Sequence, residues 1–355
     1  ISAVMENCSN RATREKVWKA FSNRSIEKNP EILYRATELR YEKAKLQKKK
    51  TWAEYRLRYR MSESPKNVQI MYETLLPVLR EKAKKEVAML LLKLQNLTRP
   101  LDDELDTISV WDVRYLIAKE RSRVSNIDTS KLKEYFELHH VKAVMLEICE
   151  EVFGLEFNQK DNTGAWHDDV ELWEVKDSTT KELIAHFYLD LYPREGKFTH
   201  AAVMDIASGN LDLKSSCSMV ANFPNPNIGK ALMSFDEVET LFHEFGHVLH
   251  HCLGQNKYTR MCGTNVEWDF VEAPSQIMEH WVWKTECIER LAIHYESGEK
   301  LDLPIIEKLQ ESKNIGVALG ILRQVGMGLE DQFLHGENYK DPHHLIVEKA
   351  HVSPI

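Results

Sequence analysis

Two histidines four residues apart, with a glutamate directly after the first, stand at His243-Glu244-Phe245-Gly246-His247. On an α-helix such residues lie about 40° apart around the axis and ~6 Å along it, so both imidazoles address one point. That pair is a chelator for a divalent ion. Glu244 flanks the same face, where a carboxylate reaches a water on the ion without being a ligand. The plain alternative is a pair of surface histidines in a chain with 15 His. His247 and His251 are also four apart, but Val248 stands where the glutamate would be needed.

A catalytic zinc takes three protein ligands and keeps a position open. The continuation HExxHxxGxxH would need Gly at 250 and His at 253; the residues are His250 and Leu253, so the third ligand is not on this helix. A carboxylate further along is the alternative. After the turn Gly263-Thr264-Asn265 the chain offers Glu267, Asp269, Glu272 and Glu279. Asp269, Glu272, Gln276 and Glu279 share one helical stripe, while Phe270, Ile277 and Trp281 form an apolar stripe on another face. A polar stripe is ordinarily a solvated face. If this helix packs against the histidine helix, Glu272 can be the ligand, with Asp269 or Gln276 holding an imidazole in its tautomer. Spacing favours Glu272 and leaves the other carboxylates open.

The elements that must position these groups are legible in part. Ser234-Phe235-Asp236-Glu237 has the form of a capping box and opens a helix predicted to run to about Cys252. Before it, Val170–Val175 and Glu182–Tyr192 alternate as strands do, with Leu183, Ala185, Phe187, Leu189 and Leu191 on one side. Ala201–Met204 and Ser218–Phe223 are short apolar pieces that could complete a small sheet. Helical patterns fill most of the remainder: Asn10–Asn23, Pro30–Lys49, Trp52–Met61, Pro65–Gln95, Val110–Arg123, Thr129–Phe153, and the chain from Ser234 almost to His335. In Pro65–Gln95, Val68, Met71, Leu75, Leu79, Ala83 and Val87 suggest one apolar stripe. Asn96–Asp106, with Pro100 and several acids, is the best linker, giving a helical region 1–105 and a metal-binding region 106–355.

Composition bounds the rest. The 355 residues are 43% hydrophobic and 29% charged, enough to bury a sizeable core and unlike a disordered or collagenous chain. No run approaches the ~18 apolar residues of a membrane span. Residues 1–100 hold 23 Lys and Arg against 11 Asp and Glu, and the other 255 hold 24 against 44. The basic residues of Arg35–Lys50 alternate with Glu38 and Glu42 at helical spacing, which reads as a solvated face rather than a nucleic-acid surface. Six cysteines without a CxxC pair suit free thiols in a reducing compartment.

With these residues in view, the sequence resembles the thimet oligopeptidase and neurolysin family of zinc metallopeptidases. The likeness extends beyond HEFGH to Phe187-Tyr188-Leu189-Asp190-Leu191-Tyr192-Pro193-Arg194-Glu195-Gly196-Lys197, to Met219-Val220-Ala221-Asn222-Phe223, and to Gly263–Glu267, Asp269–Glu272 and Pro274–Gln276. It implies one zinc ion held by His243, His247 and Glu272, with Glu244 as general base to the zinc-bound water, and Met219, Val220, Ala221, Asn222 and Phe223 as an edge strand that binds substrate. The implied fold is mainly α, of α+β zincin-like type, with two helical lobes around a channel and a small sheet beside the metal. The implied protein is a cytoplasmic or mitochondrial monomer that cleaves internal bonds of short peptides and has no nucleic-acid or membrane partner.

Family members are longer at both ends, so the expectation is a truncated form. The Gly- and Tyr-rich loop that supplies Tyr and His donors in the family has no counterpart; the surroundings of Tyr339 and His343 do not match it. Turnover is therefore expected to fall by about two orders of magnitude or more. The alternative is a zinc-containing protein that binds peptides with little or no cleavage.

Overall fold

The computed structural model describes residues 1–98, 107–125, 129–161, 164–210 and 212–337. The protein is mainly α-helical with one small mixed sheet. Packing divides the chain into two compact units, Ile1–Asn126 with Lys308–Ile355, and Ile127–Glu307. The boundary expected at 105/106 and most of the expected linker lie outside the described residues. Tyr339 and His343 lie outside them as well.

The first unit is built of helices. The longest, Pro65–Thr98, packs against Val110–Ser125 and Val317–Leu334. Ala83, Leu90 and Leu94 are buried there with Tyr115, Leu116, Ala318, Leu319 and Leu322, and Leu79 and Val87 pack beside them. Met71 and Leu75 are exposed, so the stripe drawn through Val68–Val87 does not hold as one face. Each four-residue step rotates about 40° around the axis, and three such steps carry it to another side of the helix. Glu86 is buried and accepts from the backbone N–H groups of Ala318 and Leu319 at 3.2 and 3.1 Å, satisfying orphan donors at a helix start.

The second unit holds the sheet. Its strands are β1 (Leu155–Lys160), β2 (Glu171–Asp177), β3 (Leu183–Asp190), β4 (Ala202–Ala207) and β5 (Ser215–Val220), in spatial order β1-β2-β3-β5-β4. All neighbours are antiparallel except β3 and β5. The alternation in β3 works as expected: Ala185, Phe187 and Leu189 are fully buried. Phe187 meets Phe157 and Phe245 edge to face, with centroids 5.9 and 5.5 Å apart, and stacks on Trp173. Phe245 belongs to the helix Phe235–Leu253, so the sheet seats that helix through the middle of its HEFGH segment. The Ser234 capping box is present, with Ser234 Oγ accepting from the Glu237 N–H and Glu237 Oε2 from the Ser234 N–H at 2.7 Å.

Candidate metal centre

Phe245 lies two residues from each histidine, roughly on the opposite side of the helix, so burying its ring against Phe187 turns His243 and His247 away from the sheet. Their imidazoles stand 5.0 Å apart, near perpendicular. The helix Glu272–Val282 crosses that face in the opposite sense: Ser275 lies under Gly246, Glu279 meets His243, and Trp283, just past the helix end, donates to Glu239. A Cβ at Gly246 would come within 2.6 Å of Ser275 Cα and 3.0 Å of the Pro274 carbonyl, so only glycine allows this approach. The close approach delivers Glu272. Its Oε2 lies 3.2 Å from Nε2 of His243 and 3.2 Å from Nε2 of His247, and the three ligand atoms lie within 4.8 Å of one another. Ser275, fully buried, places its Oγ 2.8 Å from Glu272 Oε2.

Two further carboxylates complete the arrangement. Glu279 Oε1 lies 2.6 Å from His243 Nδ1. With the proton on Nδ1 shared with Glu279, Nε2 is the lone-pair nitrogen turned toward Glu272, the tautomer a metal ligand needs. Glu244 is buried at 7% exposure, and its Oε2 has no hydrogen-bond partner among the described residues. Burial pushes its pKa up; His243 opposes the shift and the charge of Glu272 adds to it. Burial likewise lowers His247 against the pull of Glu272, and lowers His250, which favours neutral imidazoles. Two imidazole nitrogens and a converging carboxylate, beside a buried carboxylate with one oxygen unpartnered among the described residues, are a group suited to zinc. The residues present fit that ion.

The sequence profile of peptidase family M3 matches residues 4–351. The chain belongs to peptidase family M3. Within that family it is 34% identical to oligopeptidase A of Escherichia coli over 97% of this chain and 52% of the relative. It is 34% identical to saccharolysin of Saccharomyces cerevisiae, over 94% of this chain and 49% of the relative, and 33% to a thimet-like oligopeptidase of Dictyostelium discoideum, over 94% and 52%. The chain spans about half the length of the curated relatives it matches.

Around the centre of this M3 chain some sequence-level expectations fall elsewhere. Glu279 meets the His243 imidazole; Asp269 and Gln276, the residues expected to hold an imidazole, are both exposed. Glu279 was legible as a member of the Glu272 stripe, seven residues on, and only the opposite sense of the two helices assigns it to His243. Met219–Phe223 is not an edge strand. β5 pairs with β3 on one side and β4 on the other, the Ala221 and Phe223 N–H groups donate to the Asp190 and Leu191 carbonyls at 2.8 Å, and Met219, Val220, Ala221 and Phe223 are buried. The chain between His200 and Met219 folds back as β4 and covers the side of β5 that was expected to be free. The open edge next to β5 is therefore β4, which also packs against the HEFGH helix; His251 Nε2 lies 3.7 Å from Asp205 Oδ1 there.

The Phe187–Lys197 motif makes a buried knot. Asp190 takes both guanidinium nitrogens of Arg194 at 2.6 and 2.7 Å and the Trp166 indole N–H at 2.9 Å. Lys197, with its side chain 3% exposed, pairs with Asp190 Oδ1 at 2.9 Å and donates toward the carbonyls of Asp190, Tyr192 and Ala221 at 2.8, 2.6 and 2.6 Å. Burial works to raise the Asp190 pKa, but the hydrogen bonds from Arg194, Lys197 and Trp166 hold it well below the usual carboxylate range.

Proposed function

We propose that this chain carries the metal centre of a zinc-dependent oligopeptidase, with His243, His247 and Glu272 holding one zinc ion and Glu244 as general base. The observation that carries the reading is the convergence of these three ligand atoms within 4.8 Å beside a buried carboxylate, one oxygen of which has no partner among the described residues. Bound zinc would lower the pKa of a water toward ~7 and polarise the carbonyl of the scissile bond. Glu244 takes the proton of the attacking water on its carboxylate and gives it to the departing amide nitrogen. Its burial raises its basicity, which suits the task. Glu279 keeps the His243 proton on Nδ1, and Ser275 keeps the Glu272 carboxylate turned to the histidines.

Substrates are short peptides cut at internal bonds. They lie extended along the open edge of β4, where main-chain hydrogen bonds hold them and specificity for side chains is broad. The names of the relatives, oligopeptidase A and thimet-like oligopeptidase, support this substrate class. The reading takes the protein as a cytoplasmic monomer acting on peptides rather than on nucleic acid or lipid; no described helix is long and apolar enough to cross a membrane, and all six cysteines are free thiols.

The test is hydrolysis of an internally quenched peptide of about ten residues by the zinc-loaded chain. Cleavage that a chelator removes and added zinc restores supports the reading; zinc loading without binding or cleavage of any such peptide ends it. A second reading is a zinc-containing protein that holds peptides with little turnover. On that reading the same peptide binds, and its cleavage is slower by about two orders of magnitude or more than a centre with transition-state donors would give.

A further inference from the structure

Two sequence motifs take no part in the chemistry above, Phe187–Lys197 and Met219–Phe223, and they meet at one place. Lys197 ties the carbonyl of Ala221 to the end of β3 through its contacts with the Asp190 and Tyr192 carbonyls. The next residue, Asn222, points its amide back across the loop. Its Nδ2 donates to the Phe198 carbonyl at 2.9 Å and approaches the His200 carbonyl at 3.4 Å. Ala202 opens β4 two residues later. These bonds tie down the end of the loop 191–201 just before β4 begins. Phe198 and His200 are exposed, their rings 5.6 Å apart, so little of the loop's own packing fixes them.

We infer that Asn222, seated on the buried Lys197 knot, is a positioning residue that sets the peptide-binding edge of β4. The inference rests on the proposal that peptides add to that edge. An added strand pairs only with an edge whose backbone is held straight and in register, and a one-residue slip presents the opposite side chains and hydrogen-bonding groups. β4 is short, and its pairing with β5 is already irregular between Asp205 and Ala207. Its order therefore depends on the end at which it is entered. Asn222 fixes that end with a side chain that touches no reacting group. This also reassigns Asn222 from direct contact with substrate to support of the strand that makes the contact.

Asn222→Asp tests this, because it keeps the size of the side chain and removes its N–H donor. Asn222 is only half-buried, so the fold survives the change. Two quantities are read on the full chain loaded with zinc: binding of a fluorescein-labelled nine-residue peptide by anisotropy, and amide hydrogen exchange across residues 202–206. Loss of the hydrogen bond is expected to weaken binding about fivefold to tenfold and to speed exchange in β4, while any kcat stays within about twofold. Unchanged affinity overturns the inference, as does faster exchange confined to residues 221–223. A wild-type chain that binds the peptide but never cleaves it, and binds less well as Asn222→Asp, keeps the inference and sinks the peptidase reading. Full cleavage with no effect of the variant does the reverse.

Discussion

Asp190 and Glu244 are buried carboxylates of the same compact unit, and their surroundings drive them in opposite directions. Asp190 is enclosed by Arg194, Lys197 and Trp166, and its charged form is favoured so strongly that its pKa falls well below the usual range. Glu244 is almost as buried, yet one of its oxygens has no partner among the described residues, and burial pushes its pKa up. A carboxylate whose every acceptor is used can only hold structure. One left unsatisfied next to three converging ligand atoms retains the capacity to take a proton.

The contrast can be broken at several points. The largest effect is expected for Glu244→Gln, which should lower peptide turnover by about 10²–10⁴ without lowering the melting temperature, since no partner is orphaned. A fall in turnover matched by unfolding would erase the distinction. Asp190→Asn should do the opposite, costing about 3–5 kcal/mol of stability in urea melts because Lys197 is left buried and unpaired. This cost should depend on pH. A carboxylate whose folded pKa is depressed contributes stability that is complete above its unfolded value near 4 and is lost as pH falls toward the folded value. The gap between wild type and Asp190→Asn should therefore be full at pH 7 and shrink at pH 3; an equal gap at both would show that Asp190 is not held by charge.

Gly246→Ala sharpens the comparison at the metal centre. Its Cβ meets the backbone of Ser275, so the two helices must part at a cost of about 1–3 kcal/mol. Zinc affinity should fall with it, as read by competition with a chromophoric chelator. The smallest effect is expected for Glu279→Gln, which removes the charge facing His243 Nδ1 and should weaken zinc about 10–100-fold while leaving the melting temperature of the metal-free protein in place.

What was legible in the sequence was local. The i, i+4 histidines, the capping box and the alternation of β3 are properties of a few neighbouring residues, and each appears where its pattern put it. Glu272 was favoured because a polar stripe could face the histidines, but the choice among four carboxylates needed the helix packing that Gly246 permits. Glu279 acts across 36 residues of chain on the outer nitrogen of His243, and no local pattern reports that. The order of strands was hidden for the same reason. A buried apolar run such as Met219–Phe223 reads alike at an edge or inside a sheet, and only the return of β4 decides. The long helix Pro65–Thr98 shows the complementary limit, where a stripe of four-residue steps looks continuous in sequence and winds away from the core in space.

X-ray absorption at the zinc edge of the purified, zinc-loaded chain decides whether His243, His247 and Glu272 hold the ion. One zinc per chain is expected, with two imidazole nitrogens and a carboxylate oxygen in its coordination shell, and loss of both the oxygen and tight binding in Glu272→Ala. Zinc bound through sulfur from the six free cysteines, or zinc held as tightly after Glu272→Ala as before, would contradict it.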